Sequence, residues 1–425
     1  MPNTPLLISN CISINKVEYQ PSTGNIILAG CPKRYRGLTI NNITRLTCSG
    51  TTDSSFLGGS RFGTSISVSV DSMKISSSSQ ILLGGEFTTY NGTSRNRILR
   101  LTANGILDGI FNPGTGFPTG INGVTKINSI DINPVDNTII VAGYFESFNG
   151  FNLKSIVKLS SVGTRVALFS PGTNPGFSGP IGNHGINSAV FQSDGKVVVG
   201  GNNLTSYFNG FAITTAISNF ARITTTGQYD ATFNIGIGFM GEVRVIKIQP
   251  DGKILVGGDF TSYNSVPANR IIRLNSDGTI DTSFDYILGF NGPVNDILLE
   301  SDGSMIVIGN FTTYNGVNAP RIIKLNSDGG TSSSFNSNVG NGFNNYSDIV
   351  GALLPGNELF LGQSDIRDYN YKPIISFTKI KNSGIISCNP LPSRCCSADG
   401  GITSGFFPCN ACADIGLTEA PTGCQ

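Results

Sequence analysis

The side chains that most readily do chemistry are sparse in this chain. One histidine, His184, sits in the segment Gly182-Asn183-His184-Gly185. A single imidazole in a glycine-flanked loop reads as a solvated turn residue rather than a general base. Asp194, Asp251, Asp277, Asp302 and Asp328 each precede a glycine. There a carboxylate folds back on its own backbone while glycine supplies the positive φ of a tight turn. Asp53, Asp108, Asp230 and Asp281 recur three residues after a repeated glycine, so they read as caps or as ion-pair partners of a repeated basic residue. The alternating acidic ligands of an EF-hand, ending in Glu, are absent. No cofactor, no metal and no catalytic residue is expected, and the chain reads as a non-enzyme.

Cysteine is the one asymmetric element. Cys11, Cys31 and Cys48 lie early, whereas Cys388, Cys395, Cys396, Cys409, Cys412 and Cys424 crowd the end. Residues 389–425 depart from the pattern of the rest and form a separate tail, rich in Gly, Pro and Ser. Such a segment buries little surface alone, so cross-links or a partner must hold it. Disulfides, a zinc site built on Cys409 and Cys412 with Cys395 and Cys396, and free thiols all remain open. The adjacent pair Cys395-Cys396 fits zinc-ligand spacing poorly.

Composition narrows the setting. Charged residues make up 13% of the 425, net charge is +1, and glycine numbers 54. No global field steers the chain to nucleic acid or to an anionic membrane. No apolar run approaches the ~20 residues that span a bilayer. The opening Met1-Pro2-Asn3-Thr4-Pro5-Leu6-Leu7-Ile8-Ser9 lacks the basic and long apolar regions of a secretion signal. The expectation is therefore a route without classical secretion.

What positions the few polar groups is a repeat. A basic residue, four residues, Gly, five residues and Phe recur as Arg45/Gly50/Phe56, Arg100/Gly105/Phe111, Lys158/Gly163/Phe169, Arg222/Gly227/Phe233, Arg273/Gly278/Phe284 and Lys324/Gly329/Phe335. A seventh copy, Lys379/Gly384, has Pro390 in place of Phe. Upstream of each, an apolar run ends in Gly30, Gly85, Gly143, Gly201, Gly258, Gly309 or Gly362. Within the fifth unit, Val243–Ile248 alternates like a half-buried strand, and Asp251-Gly252 marks a hairpin turn. Lys253–Gly258 reads as a strand buried on both faces, Ile271–Leu274 as a third strand and Thr279–Phe284 as a short outer one. No window gives a convincing amphipathic helix. Seven such units predict an all-β, seven-bladed β-propeller of four-stranded antiparallel blades, the radial arrangement that protects sheet edges. The repeated Phe, and a second set at Phe62, Phe117, Phe177, Phe239, Phe290 and Phe343, read as packing anchors.

Residues Asp251–Asn264, Asn269–Asn275 and Asp281–Phe284, with their counterparts in Asp302–Phe335, resemble the delta-60 repeat family of β-propellers. The resemblance covers most of residues 12–385. It implies a propeller of the kind found in tailed-bacteriophage virion proteins and bacterial surface proteins, with no shared catalytic residue.

The units fall at roughly 10–62, 63–117, 118–177, 178–239, 240–290, 291–343 and 344–388. Ring closure is expected from an N-terminal strand over residues 4–9 lying beside the seventh unit, with the local segment Ile385-Ile386-Ser387 as the competitor. The functional expectation is a structural or interaction protein of a phage virion: tail, baseplate or capsid-associated. Its partners would be other virion proteins, docked through the C-terminal tail, or a host-surface glycan or protein, with no nucleic acid and no membrane insertion. The alternative is a secreted or cell-surface adhesion propeller. Loops such as Thr88-Thr89-Tyr90-Asn91-Gly92 and Thr312-Thr313-Tyr314-Asn315-Gly316 would suit glycan contact, although their repetition favours a structural turn.

Overall fold

The computed structural model describes residues 14–387, apart from 31–32, 36–37, 41, 48–50, 57–61, 63–67, 121–122, 170–171, 181–182, 212–213, 340–342, 344–348, 364–367, 370–371, 374–376 and 381–385. Its described residues form seven antiparallel meanders in chain order. The innermost strands are Ile14–Gln20, Val70–Ile75, Lys126–Ile132, Gly185–Phe191, Val243–Ile248, Val294–Leu299 and Ile349–Leu354. Each touches the next, and the seventh touches the first, so the inner strands close a ring.

The middle strands, such as Ile254–Gly258 and Met305–Gly309, are buried along their whole length. That burial on two faces is why they read as unbroken β-branched and leucine runs. Their apolar side chains pack between consecutive sheets. Ile27, Ala29 and Ile43 of the first sheet share a cluster with Val70, Ile81 and Leu83 of the second. Val17, Ile26 and Leu28 share another with Ala352, Leu354 and Phe360, which seals the first sheet to the seventh.

Six inner–middle pairs carry a register shift near the start of the inner strand, at its second residue in four, as between Val243 and Val245, and at its third in Lys126–Ile132 and Gly185–Phe191. The glycine ending the middle strand lies at this bulge. A Cβ on Gly85, Gly143, Gly201, Gly258 or Gly309 would sit 2.0–2.2 Å from a backbone carbonyl of the first inner-strand residue or the residue before it. Close backbone approach, rather than backbone dihedral, is what demands glycine here.

Two expectations differ from the structure. The sheets are mostly three-stranded: after the third strand the chain makes one isolated bridge, such as Leu274 with Ile280, and then turns. In the fifth unit the carboxylate of Asp281 accepts from the Ser283 amide at 3.0 Å, which curls the segment away from the sheet. In the sixth unit a seven-residue helix, Ser333–Val339, stands where an outer strand with Phe335 was expected. Its Asn336 side chain accepts from Lys324 N and donates to Lys324 O, each at 3.0 Å, and so imitates a pairing strand. Among the described residues a fourth strand, Ile386–Ser387, is present in the seventh sheet alone, paired with Lys379 and Ile380. Residues 4–9, expected to close the ring beside the seventh unit, lie outside the described residues.

Candidate functional site

The repeated basic residue lies at the seam between consecutive units. Arg45, Arg100, Arg222 and Arg273 are all buried, and each donates through Nε to its unit's aspartate: Asp53, Asp108 and Asp230 at 2.8 Å, Asp281 at 2.6 Å. Nη1 of the same guanidinium crosses to the next unit's turn. It donates to the carbonyls of Ala103 (2.7 Å), Ser161, Ser276 (2.6 Å) and Ser327 respectively. The planar fork fits both tasks, which an ammonium group would not. Each guanidinium also stands over its unit's Phe, at 5.0 Å from Phe56 and Phe111, 4.3 Å from Phe233 and 4.9 Å from Phe284.

Electrostatics follow from this packing. Burial opposes the charge of Asp230, but hydrogen bonds from Thr232, Lys196 and Arg222 outweigh it and hold the carboxyl well below the ordinary aspartate value. Asp281 is held down in the same way by Ser283, Lys253 and Arg273.

The repeated glycine completes the seam. Gly163, Gly278 and Gly329 have φ near +90°, and a Cβ on each would press at 3.0 Å on the Phe of the preceding unit: Phe111, Phe233 and Phe284. Its carbonyl receives a buried tyrosine hydroxyl. Tyr90 donates to Gly105 (2.6 Å), Tyr207 to Gly227, Tyr263 to Gly278 (2.7 Å) and Tyr314 to Gly329 (2.8 Å). Burial pushes the Tyr90 phenol up to about 12 and raises Tyr263 and Tyr314 as well. The loop tyrosines are thus inside the molecule, where no glycan reaches them. Phe62, Phe117, Phe177, Phe239 and Phe290 pack their rings against these tyrosines or against Phe148, which stands in the third unit.

The departures are equally specific. Lys324 reaches Glu300 at 2.7 Å because Ser332 stands where an aspartate would. Lys158, with Val166 in that place, makes no ion pair among the described residues and lies between Phe169 (5.9 Å) and Phe191 (5.6 Å). Lys379 is in the third strand of the seventh sheet. Phe169 and Phe335 are buried like the other repeat phenylalanines. His184 Nδ1 donates to Pro180 O at 2.9 Å, and the ring meets the Tyr144 ring edge-on. All nine cysteines lie outside the described residues.

Two sets of residues escaped sequence reasoning. The first lines a central channel of about 510 Å³. From the inner strands Lys74 pairs with Asp131 (2.9 Å) and Lys247 with Asp296 (3.3 Å) across neighbouring sheets. Glu18 faces the same space. Burial raises its carboxyl above the ordinary value, against the pull of Lys74, Lys247 and Lys16. The signal was present near the end of each inner strand, where Glu18, Lys74, Asp131 and Lys247 contrast with Val190, Leu298 and Leu353 at the equivalent position. The bulged residue adds locks of its own: Asn15 donates to Val70 O (3.1 Å), Asn128 to Ile186 O (3.0 Å) and Asn187 to Val243 O (3.0 Å).

The second set precedes the third strand. Arg97, Arg270 and Arg321 have φ of 64–68° and donate to the carbonyls of Phe117 (2.7 Å), Phe290 (2.9 Å) and Phe343. They tie each linker to its own unit. Their signal was the recurring Arg just before an Ile-rich strand.

With this geometry in view, a family model described as a β-propeller domain of unknown function (DUF5122) matches residues 77–109, 136–165, 249–284 and 300–338. Each matched segment runs from the turn before a middle strand to the outer segment of one unit. The chain is a β-propeller repeat protein. No curated protein matches this propeller by sequence. Among solved structures, the WD40 propeller domain of Doa1 is 13% identical, with 69% of this chain and 75% of that one covered at a TM-score of 0.42. PorZ, a surface component of the type-IX secretion system of Porphyromonas gingivalis, is 9% identical, with 88% and 47% covered at 0.41. A gluconolactonase of Xanthomonas campestris is 10% identical, with 70% and 84% covered at 0.37.

Proposed function

We propose that the chain is a seven-bladed propeller acting as a non-enzymatic structural and interaction protein of a tailed-phage virion, in contact with other virion proteins or a host surface. The observation that carries the non-enzymatic part is the use made of its buried charges. The staple arginines and aspartates, and the channel pairs Lys74–Asp131 and Lys247–Asp296, are engaged in joining one sheet to the next. Among the described residues no group of three metal-ligating side chains converges.

The contact surface in this reading is the end of the ring that carries the small hairpins and inter-unit linkers. Phe151, Phe211, Met240, Ile287 and Leu288 are each more than half exposed there. Exposed apolar side chains on a rigid ring suit protein contact. The phage setting rests on the sequence resemblance alone.

Mass spectrometry of gradient-purified particles, with antibody labelling in electron micrographs, tests the reading. Stoichiometric presence in particles is expected. Recovery only from the medium or the cell surface would replace it with the adhesion alternative.

A further inference from the structure

The repeat supplies its own control for what belongs at each seam. In the first unit the last residue of the inner strand, Gln20, packs its carboxamide into the staple. Its Oε1 accepts from Arg45 Nη1 at 3.1 Å, and its Nε2 donates to Ala103 O (3.1 Å) and Ser79 O (3.3 Å) of the next unit. In the fourth unit Gln192 Oε1 likewise accepts from Arg222 Nη1 at 3.2 Å. In the fifth, Gln249 is buried at the matching position, but its Oε1 has no hydrogen-bond partner among the described residues and Arg273 is not joined to it.

The second unit lacks this group. Its counterpart is Ser76, whose hydroxyl engages its own turn, 3.0 Å from Ser78 Oγ and 3.0 Å from the Gln80 amide. Arg100 Nη1 reaches Ser161 O, the counterpart of Ala103 O, while the carboxamide of Gln80, which lines the same seam, donates to Asp108 at 3.0 Å rather than to that carbonyl. A cavity of about 330 Å³ opens at this seam, lined by Ser76 and Arg100 on one side and by Asn137 and Ser161 on the other. Asn137 is the counterpart of Ser79: both are the last turn residue before the middle strand, with φ of 57° and 62°. Leu82, Ile132 and Ile139 supply apolar wall.

We propose that this cavity between the second and third units binds a primary carboxamide, on a small molecule or on a glutamine side chain of a partner. The chemistry is that of the missing Gln: an oxygen accepting from Arg100 and an NH₂ donating to the backbone carbonyls that Gln20 satisfies one seam away. A carboxylate satisfies only the first half and faces carbonyl oxygens with the second, so the site selects the neutral amide. The apolar wall adds room for a hydrocarbon body beside the amide.

The test is a methyl NMR titration of the full chain with benzamide, benzoate and the peptide Gly-Gln-Gly. Saturable shifts of the Leu82, Ile132 and Ile139 methyls are expected with benzamide or the peptide, the tighter probe naming the source. Benzoate should bind at least about tenfold more weakly, because its second oxygen leaves the carbonyls unpaired. Ser76→Gln places the chain's own carboxamide in the slot and should abolish the shifts while the protein melts at or above the wild-type temperature. Intermolecular NOEs from the benzamide ring to Ile132 and Ile139 locate the probe without any variant. Absence of saturable shifts with both amides, benzoate binding as tightly as benzamide, or a well-folded Ser76→Gln protein that still responds would each overturn the proposal.

Discussion

Arg222 and Ser276 belong to consecutive sheets, and a 2.6 Å hydrogen bond from the Arg222 guanidinium to the Ser276 carbonyl joins them. The same guanidinium holds Asp230 at 2.8 Å and covers the Phe233 ring. One side chain thus fixes its own unit's outer segment and the next unit's turn. Because the arrangement recurs with Arg45, Arg100 and Arg273, the ring is held by a series of short-range contacts between neighbours.

Arg273→Ala should cost about 3 kcal/mol in chemical denaturation, because a buried carboxylate and a turn carbonyl lose their shared partner. Arg273→Lys should recover only part of it, since an ammonium cannot serve Asp281, Ser283 and Ser327 in one plane. Equal stability of the lysine variant and wild type would show that the fork geometry is not what matters.

Acid should loosen these seams. Asp53, Asp230 and Asp281 are held below the ordinary aspartate value of 3.8. A carboxyl whose folded value is depressed stabilises fully above the unfolded value, and that contribution is lost as pH falls through the folded one. Melting temperature should therefore be insensitive to these groups near neutrality and fall steadily from about pH 4 downward. An Asp230→Asn, Asp281→Asn double variant should be less stable at pH 7 and show a shallower acid slope.

Glu18 carries the opposite sign. Its carboxyl is raised above the ordinary 4.5 by burial, so stability is complete below that value and is lost as pH rises through the folded one. Lys74, Lys247 and Lys16 pull the other way, and Asp296 reinforces the rise. Glu18→Gln should melt above wild type at pH 7, with the difference closing as pH is lowered past 4.5. A glutamine variant that melts below wild type at neutral pH would show that the lysines dominate.

Two glycines with similar dihedrals should respond differently to alanine. Gly92 has φ +77° with open space around it, whereas Gly278 has φ +91° and the Phe233 ring at 3.0 Å. Gly92→Ala should cost about 1 kcal/mol for the left-handed backbone alone. Gly278→Ala adds the displacement of a packed ring and should cost about 2–4 kcal/mol. Urea melts of the two variants measure the difference directly.

Tyr263→Phe should cost about 1–2 kcal/mol, since it leaves the buried Gly278 carbonyl without its 2.7 Å donor. The ring itself is tolerated, because Phe148 fills the matching place in the third unit. A loss above about 3 kcal/mol would mean that the ring, not the hydroxyl, is disturbed.

Much of this molecule was legible in the residues. The all-β character, the repeat, the strand order within each unit, and the pairing of repeated Arg with repeated Asp all follow from local pattern. Turn glycines, alternating strands and a charged pair eight residues apart act within one unit, and one unit is what a repeat displays seven times. What the residues did not give were properties of the ring. The missing outer strand depends on Asp281 capturing the Ser283 amide once Arg273 has fixed it in place. Which segment flanks Lys379 and Ile380 depends on competition for one exposed edge, and Ile386–Ser387 holds it. The channel brings Glu18, Lys74, Asp131, Lys247 and Asp296 together from five strands far apart in the chain. The empty slot at Ser76 is likewise visible only against the filled one at Gln20, when the seam between two units is in place. Local pattern encodes each unit because its contacts are near in sequence, while the channel and the seams exist only after the ring has closed.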